Sequence, residues 1–145
     1  MSSPTWYRMT ARGEQPGRPP TVLVVEDEVS VRLLTCRMLR GLGYQCEEAS
    51  DGREALRLIR RREHPYALVL TDVVMPVMGG DELCRRLAEE KPDQPVLCMS
   101  AYPNTTLAGH GLLPTGRAFL QKPFLPAALA TEIRNLLGST VQPAH

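Results

Sequence analysis

Four short, largely apolar runs along the chain each stop at a residue able to do chemistry. Residues 22–25 stop at Glu26 and Asp27, residues 67–71 at Asp72, residues 96–99 at Ser100, and residues 118–121 at Lys122. Unbroken apolar runs of this length predict strands covered on both faces, as in a parallel sheet. Residues 44–49 are weaker and more polar, with Glu47 and Glu48 among them, which predicts a strand at the sheet edge.

Between the strands the period changes to that of a helix. Val31, Leu34, Thr35, Met38, Leu39 and Leu42 mark one face of a first helix closed by Gly41 and Gly43. Asp51 followed by Glu54 has the spacing of a capping box, and Ala55, Leu56, Leu58 and Ile59 give that second helix its apolar stripe to about Arg62. A third helix starts at Gly80 or Asp81, buries Leu83, Cys84, Leu87 and Ala88, and stops before Pro92. Residues 103–116 contain Gly109, Gly111 and Pro114, so a helix there is expected to be short and the segment mobile. Leu125, Leu129, Ile133, Leu136 and Leu137 supply the inward face of the last helix, which Gly138 ends.

Five strands alternating with five helices, joined by right-handed crossovers, predict an α/β fold: a flavodoxin-like doubly wound parallel sheet with strand order 2-1-3-4-5. In such sheets ligands bind beyond the carboxyl ends of the strands. Glu26, Asp27, Asp72, Ser100 and Lys122 are expected at that edge. Residues 1–20, rich in Pro and Gly and without periodicity, read as a flexible tail, residues 21–138 as one domain, and residues 139–145 as a second tail.

Composition narrows the role. Seventeen Lys and Arg against 16 Asp and Glu leave a net charge of +1, without the basic footprint of a direct nucleic-acid binder. Arg60, Arg61 and Arg62 read as a solvated helix end. Cys36, Cys46, Cys84 and Cys98 form no CxxC pair, which argues against zinc and for reduced thiols. With no secretory leader pattern and no apolar run of membrane-spanning length, the expectation is a soluble, cytoplasmic protein that does not contact membrane.

Three carboxylates brought together repel, by about 4 kcal/mol per pair at 4 Å and an effective dielectric near 20, so a cation is expected among them. Oxygen ligands alone favour a hard ion, Mg²⁺ or Mn²⁺, with Lys122 as a further fixed charge. A carboxylate beside such an ion and an ammonium is a competent nucleophile toward phosphorus, giving an aspartyl phosphate whose oxygen Ser100 could hydrogen-bond. Singly, an Asp after a strand is usually a turn residue, a Ser a cap and a Lys-Pro a loop. Jointly, in this order, these explanations fail.

The stretches Val24-Val25-Glu26-Asp27, Thr71-Asp72-Val73-Val74-Met75-Pro76, Met99-Ser100-Ala101 and Phe119-Leu120-Gln121-Lys122-Pro123-Phe124 resemble those of two-component response-regulator receiver domains, over residues 21–138. Among receivers the likeness is to those of hybrid sensor histidine kinases or their single-domain relatives. The resemblance implies that Asp72 is the phosphoacceptor, that Asp27, Asp72 and the backbone carbonyl of Val74 hold Mg²⁺ with Glu26 as supporting acid, and that Lys122 pairs with the phosphoryl group. It also implies a cis Lys122-Pro123 bond and switch roles for Ser100 and Phe119, the alternative for Phe119 being a static core aromatic. The implied partners are a histidine kinase or histidine phosphotransfer protein as donor and a downstream protein target. The sequence leaves open whether phosphorylation drives homodimerisation through the last helix.

Two other readings share these residues: an Mg²⁺-dependent aspartyl-phosphate phosphatase or phosphotransferase, and an interaction module that never takes phosphate. The first lacks the second acid two residues after the nucleophile, where Val74 stands. The second is disfavoured by the completeness of the pocket. The expectation is thus a chain that is not an enzyme beyond catalysing its own phosphorylation and dephosphorylation.

Overall fold

The computed structural model describes residues 19–112 and 117–138. Ten elements alternate: β1 (Thr21–Val25), α1 (Val29–Gly41), β2 (Gln45–Ala49), α2 (Gly52–Arg61), β3 (Leu68–Asp72), α3 (Gly80–Glu90), β4 (Val96–Ser100), α4 (Asn104–Gly109), β5 (Ala118–Gln121) and α5 (Pro126–Leu137). The strands form one parallel sheet in the order β2-β1-β3-β4-β5, as expected.

Strand residues alternate between two apolar layers. Leu23, Val25, Val69 and Cys98 pack with Ala55, Leu56 and Ile59 of α2, Leu83 and Leu87 of α3 and Leu107 of α4. Val22, Val24, Leu68, Leu70 and Met99 pack with Cys36 and Leu39 of α1 and Leu129, Ile133 and Leu137 of α5. This two-sided covering is why the central strands read as unbroken apolar runs. At the edge, β2 keeps Glu47 and Glu48 in solvent-facing ion pairs with Arg62 and Arg32.

Local chemistry sets the element ends. The Asp51 carboxylate accepts from the Glu54 N–H at 2.8 Å while the Glu54 side chain accepts from the Ser50 N–H at 2.7 Å, closing the expected box one residue early. α3 has Gly79 as N-cap and ends at Glu90, ahead of Pro92. α4 is six residues long with Leu107 its one buried residue, as the Gly-rich sequence implies. Residues 113–116 of that stretch, the tail at 139–145 and all but the last two residues of the amino-terminal tail lie outside the described residues.

Several predicted faces are corrected. In α1 the buried positions are Thr35, Cys36 and Leu39, while Leu34 and Leu42 are exposed and Val31 and Met38 half-buried. Ala88 is exposed on α3. Leu125 is 74% exposed, because it is the N-cap of α5 and precedes the helix whose face it was assigned to. The arginine cluster leaves Arg60 and Arg61 exposed, as expected, while Arg60 also grips Glu90 of α3 with two hydrogen bonds of 2.7 and 2.6 Å and the half-buried Arg62 lies 4.1 Å over the Tyr66 ring.

Candidate functional site: an acidic pocket at the carboxyl edge of the sheet

The sheet's hydrogen bonding runs one residue past the strands and so fixes the positions just beyond their ends. The Glu26 N–H donates to the Ala49 carbonyl at 3.0 Å, Val73 to Met99 at 3.0 Å, and Lys122 to Ser100 at 2.8 Å. Glu26, Asp72, Ser100 and Lys122 are thereby brought to one edge on a rigid backbone, with Asp27 beside them.

Lys122 is the centre of the arrangement. Its ammonium donates to Glu26 Oε1 at 2.7 Å and to Asp72 Oδ2 at 3.0 Å. Glu26 and Asp72 are 1% and 6% exposed, so these are buried carboxylates in need of a counter-charge. Burial opposes the Lys122 charge, yet the hydrogen bonds it donates to Glu26 and Asp72 outweigh it and hold the ammonium above the usual lysine pKa. Glu26 Oε2 also accepts from the Glu28 N–H at 3.2 Å, and Asp72 Oδ1 more distantly from the Val74 N–H at 3.4 Å.

Asp27 is exposed at the mouth, and one oxygen from each of Glu26, Asp27 and Asp72 lies within 4.8 Å of the others. Against three carboxylates stands one ammonium, which leaves the pocket short of positive charge. An all-oxygen donor set with one solvent-facing member suits a hard divalent ion that keeps some of its water, so these residues fit Mg²⁺.

Ser100 is fully buried, and its Oγ accepts the Tyr102 N–H at 3.0 Å, which leaves the hydroxyl proton to be donated. Val74 and Tyr102, which follow Asp72 and Ser100 by two residues each, are 41% and 51% exposed. Phe119 is half-buried against the layer that holds α2, α3 and α4. The Lys122-Pro123 bond is cis, as the resemblance implies.

Arg32 was not singled out by sequence. From α1 its guanidinium donates to the Glu26 carbonyl at 2.7 Å and to Glu48 Oε1 at 2.8 Å, pinning the helix to the pocket and to β2. Its one signal is an arginine a helical turn after an acidic triplet, legible only once β2 is placed beside β1.

A family model described as the response regulator receiver domain matches residues 22–134. The chain belongs to that family. Receivers are the signalling modules of two-component systems that are phosphorylated on an aspartate at an acidic, Mg²⁺-binding pocket, and this receiver has the acidic group and the sheet order of its class. It is 38% identical to the sensor kinase CckA of Brucella abortus over 81% of this chain and 12% of that protein. It is 40% identical to the response regulator MprA of Mycolicibacterium vanbaalenii over 84% of this chain and 52% of that one. The chain thus spans about half, or far less, of the curated relatives it matches.

Among solved structures it is similar to the receiver domain of the sensor histidine kinase PA1611 of Pseudomonas aeruginosa PAO1, a structure with magnesium coordinated in its active-site cleft. That match has a TM-score of 0.76 at 27% identity and covers 83% of this chain and 99% of the other. The receiver of the hybrid histidine kinase CckA matches with a TM-score of 0.67 at 33% identity, over 81% of this chain and 99% of that one.

Proposed function

We propose that Asp72 is the phosphoacceptor of this receiver, taking phosphate from a phosphohistidine on a partner histidine kinase or histidine phosphotransfer protein. The observation that carries the reading is the Lys122 ammonium set between Glu26 and Asp72, at 2.7 and 3.0 Å, beside a third acid. An Asp72 oxygen attacks phosphorus as the P–N bond to the donor imidazole breaks. Lys122 stays close enough to pair with the transferred oxygens, and Ser100 donates its hydroxyl to one of them. Asp27, Asp72 and the Val74 carbonyl, with Glu26 as supporting acid, are the residues that would hold Mg²⁺ (or Mn²⁺). When bound, the ion neutralises the oxygens' charge.

A groove of about 310 Å³ beside Lys122, lined by Val31, Leu34, Met38, Pro123 and Phe124 among others, supports an apolar donor helix at the pocket. Once phosphate is on, Ser100 and Phe119 act as switch residues, and the surface of α4, β5 and α5 signals by contact with a downstream protein or a second copy of the chain. The receiver catalyses only its own phosphorylation and dephosphorylation. No described helix is long and apolar enough to cross a membrane, consistent with action in the cytoplasm.

The test is incubation with Mg²⁺ and a small acyl phosphate, followed by intact and peptide mass spectrometry. The expected result is one phosphoryl adduct on Asp72 that chelator prevents. No adduct on the wild type, or an undiminished one in Asp72→Asn, overturns the assignment.

A further inference from the structure

Away from the acidic pocket, two cysteine pairs lie sulfur to sulfur, one in each layer. Cys84 and Cys98 are 3.6 Å apart, an ordinary non-bonded separation, and are sealed at 4% and 1% exposure. Cys36 and Cys46 are only 2.7 Å apart, with Cys36 buried on α1 and Cys46 half-buried on β2, the edge strand. That distance is well inside the roughly 3.5–4.0 Å at which non-bonded heavy atoms rest. A covalent S–S bond needs a further approach of only about 0.7 Å.

We propose that Cys36 and Cys46 form a reversible oxidation site, which a peroxide converts to an intramolecular disulfide tying α1 to β2. Cys46 is the sulfur that solvent reaches. As a thiolate, its proton released to solvent water, it attacks the O–O bond of ROOH. It becomes the sulfenic acid and, with that proton, releases ROH. The Cys36 sulfur then attacks the Cys46 sulfur, the S–O bond breaks, and the Cys36 proton leaves with hydroxide as water. Two thiols and one peroxide thus become one disulfide, one alcohol and one water, and two equivalents of a small thiol reverse the change.

Donating its S–H to Cys36, and its own burial, push the Cys46 thiol up, so access and not acidity makes Cys46 the sulfur that meets peroxide, and the buried Cys36 is the resolving thiol. Its pKa lies below the ordinary thiol value, chiefly because the Cys46 S–H donates to it, against burial and the Glu48 charge and with help from Arg40 and Arg32. Cys84 and Cys98 are also paired, but at an ordinary 3.6 Å and with no solvent path, which makes them an internal control. The tie bears on the pocket, since α1 begins two residues after Asp27 and carries the Arg32 that holds the Glu26 carbonyl.

The experiment treats the folded protein with about one equivalent of hydrogen peroxide, then denatures, alkylates and maps the peptides by mass spectrometry. It needs neither Mg²⁺ nor phosphate, so its outcome is separate from that of the Asp72 assignment. The expected result is a Cys36–Cys46 linkage, with Cys84 and Cys98 still alkylated, reversed by dithiothreitol. Closing a loop between residues ten apart should raise the melting temperature by about 5–10 °C until reductant is added. Cys46→Ser should give neither linkage nor shift. Cys46 alkylated throughout, Cys46 sulfinic acid with Cys36 still alkylated, linkage only between chains, or equal oxidation of Cys84 and Cys98 would each overturn the proposal.

Discussion

Asp27→Asn should stabilise the metal-free protein while abolishing most of what Mg²⁺ adds. Asp27 faces two carboxylates whose oxygens lie within 4.8 Å of its own, and a single ammonium, Lys122, which is already engaged by both of them. One net like charge at that distance costs about 3.5 kcal/mol at an effective dielectric near 20 and about 1 kcal/mol at that of water. Because Asp27 is exposed, the lower figure governs, and removing its charge should raise stability by about 1 kcal/mol. For a domain of this size that is a melting-temperature rise of about 3–6 °C. Mg²⁺ at ten times its Kd stabilises the wild type by about 1.4 kcal/mol through mass action, and the variant, short of one carboxylate ligand, should gain little. Thermal melts of both proteins in EDTA and in rising Mg²⁺, at low and high NaCl, read all these terms. The metal-free advantage of Asp27→Asn should also shrink in salt. If the variant melts lower than wild type in EDTA, or keeps the full Mg²⁺ shift, the pocket is not a cation site held in repulsion.

Lys122→Ala should cost about 3–5 kcal/mol in urea unfolding at pH 7, because it strands the buried Glu26 and Asp72 charges; a loss below 1 kcal/mol would contradict the pairing. Val77, a β-branched residue at φ 70° and 72% exposed, should be relieved by Val77→Asn, with a gain of about 1 kcal/mol in the same assay. Gly80→Ala should destabilise by more than about 2 kcal/mol, since its Cβ would collide with the Asp72 carbonyl. Burial pushes Tyr44 up to about 12, so the unfolded chain ionises first as pH passes 10. The stability that the neutral folded phenol supplies is complete below pH 10 and falls by about 2–3 kcal/mol by pH 12. Alkaline unfolding curves of Tyr44→Phe should lack that component.

The fold and the pocket were legible in sequence for the same reason. A parallel strand covered on both faces must be apolar along its length, so the first polar residue marks both its end and the ligand edge. Glu26 and Ser100 stand out that way, Asp72 and Lys122 follow one uncharged polar residue later, after Thr71 and Gln121, and the polar β2 declares itself an edge. The face of α1 was not legible, because a helix with Val31, Leu34 and Met38 on its groove side and Cys36 and Leu39 beneath is apolar over too wide an arc for periodicity to choose. Leu125 misled for another reason: it keeps the helical spacing of α5 but precedes its first turn. Arg32, Val77 and Gly80 depend on through-space approach or on a backbone angle, neither of which leaves a pattern along the chain.

The pocket's charge also says where a phosphoryl group on Asp72 would be felt. An acyl phosphate on Asp72 would carry about −1.5 to −2 charge near neutral pH in place of that carboxylate, where the two remaining carboxylates, Glu26 and Asp27, already outnumber one ammonium. Beyond Lys122, the Val74 N–H and a bound cation, the same edge offers the Ser100 hydroxyl as a neutral donor. Its oxygen already accepts the Tyr102 N–H, and its carbonyl is held by the Lys122 N–H. The carbonyl bond joins two strands and resists displacement, whereas Tyr102 leads through Pro103 into α4, a six-residue helix anchored by Leu107 alone. A pull on the Ser100 side chain is therefore transmitted to the segment with the fewest buried contacts to oppose it. Under the proposed assignment of Asp72, the carboxyl edge would hold the chemistry in place and α4, with Leu107 as its one buried residue, would be the part that reports it.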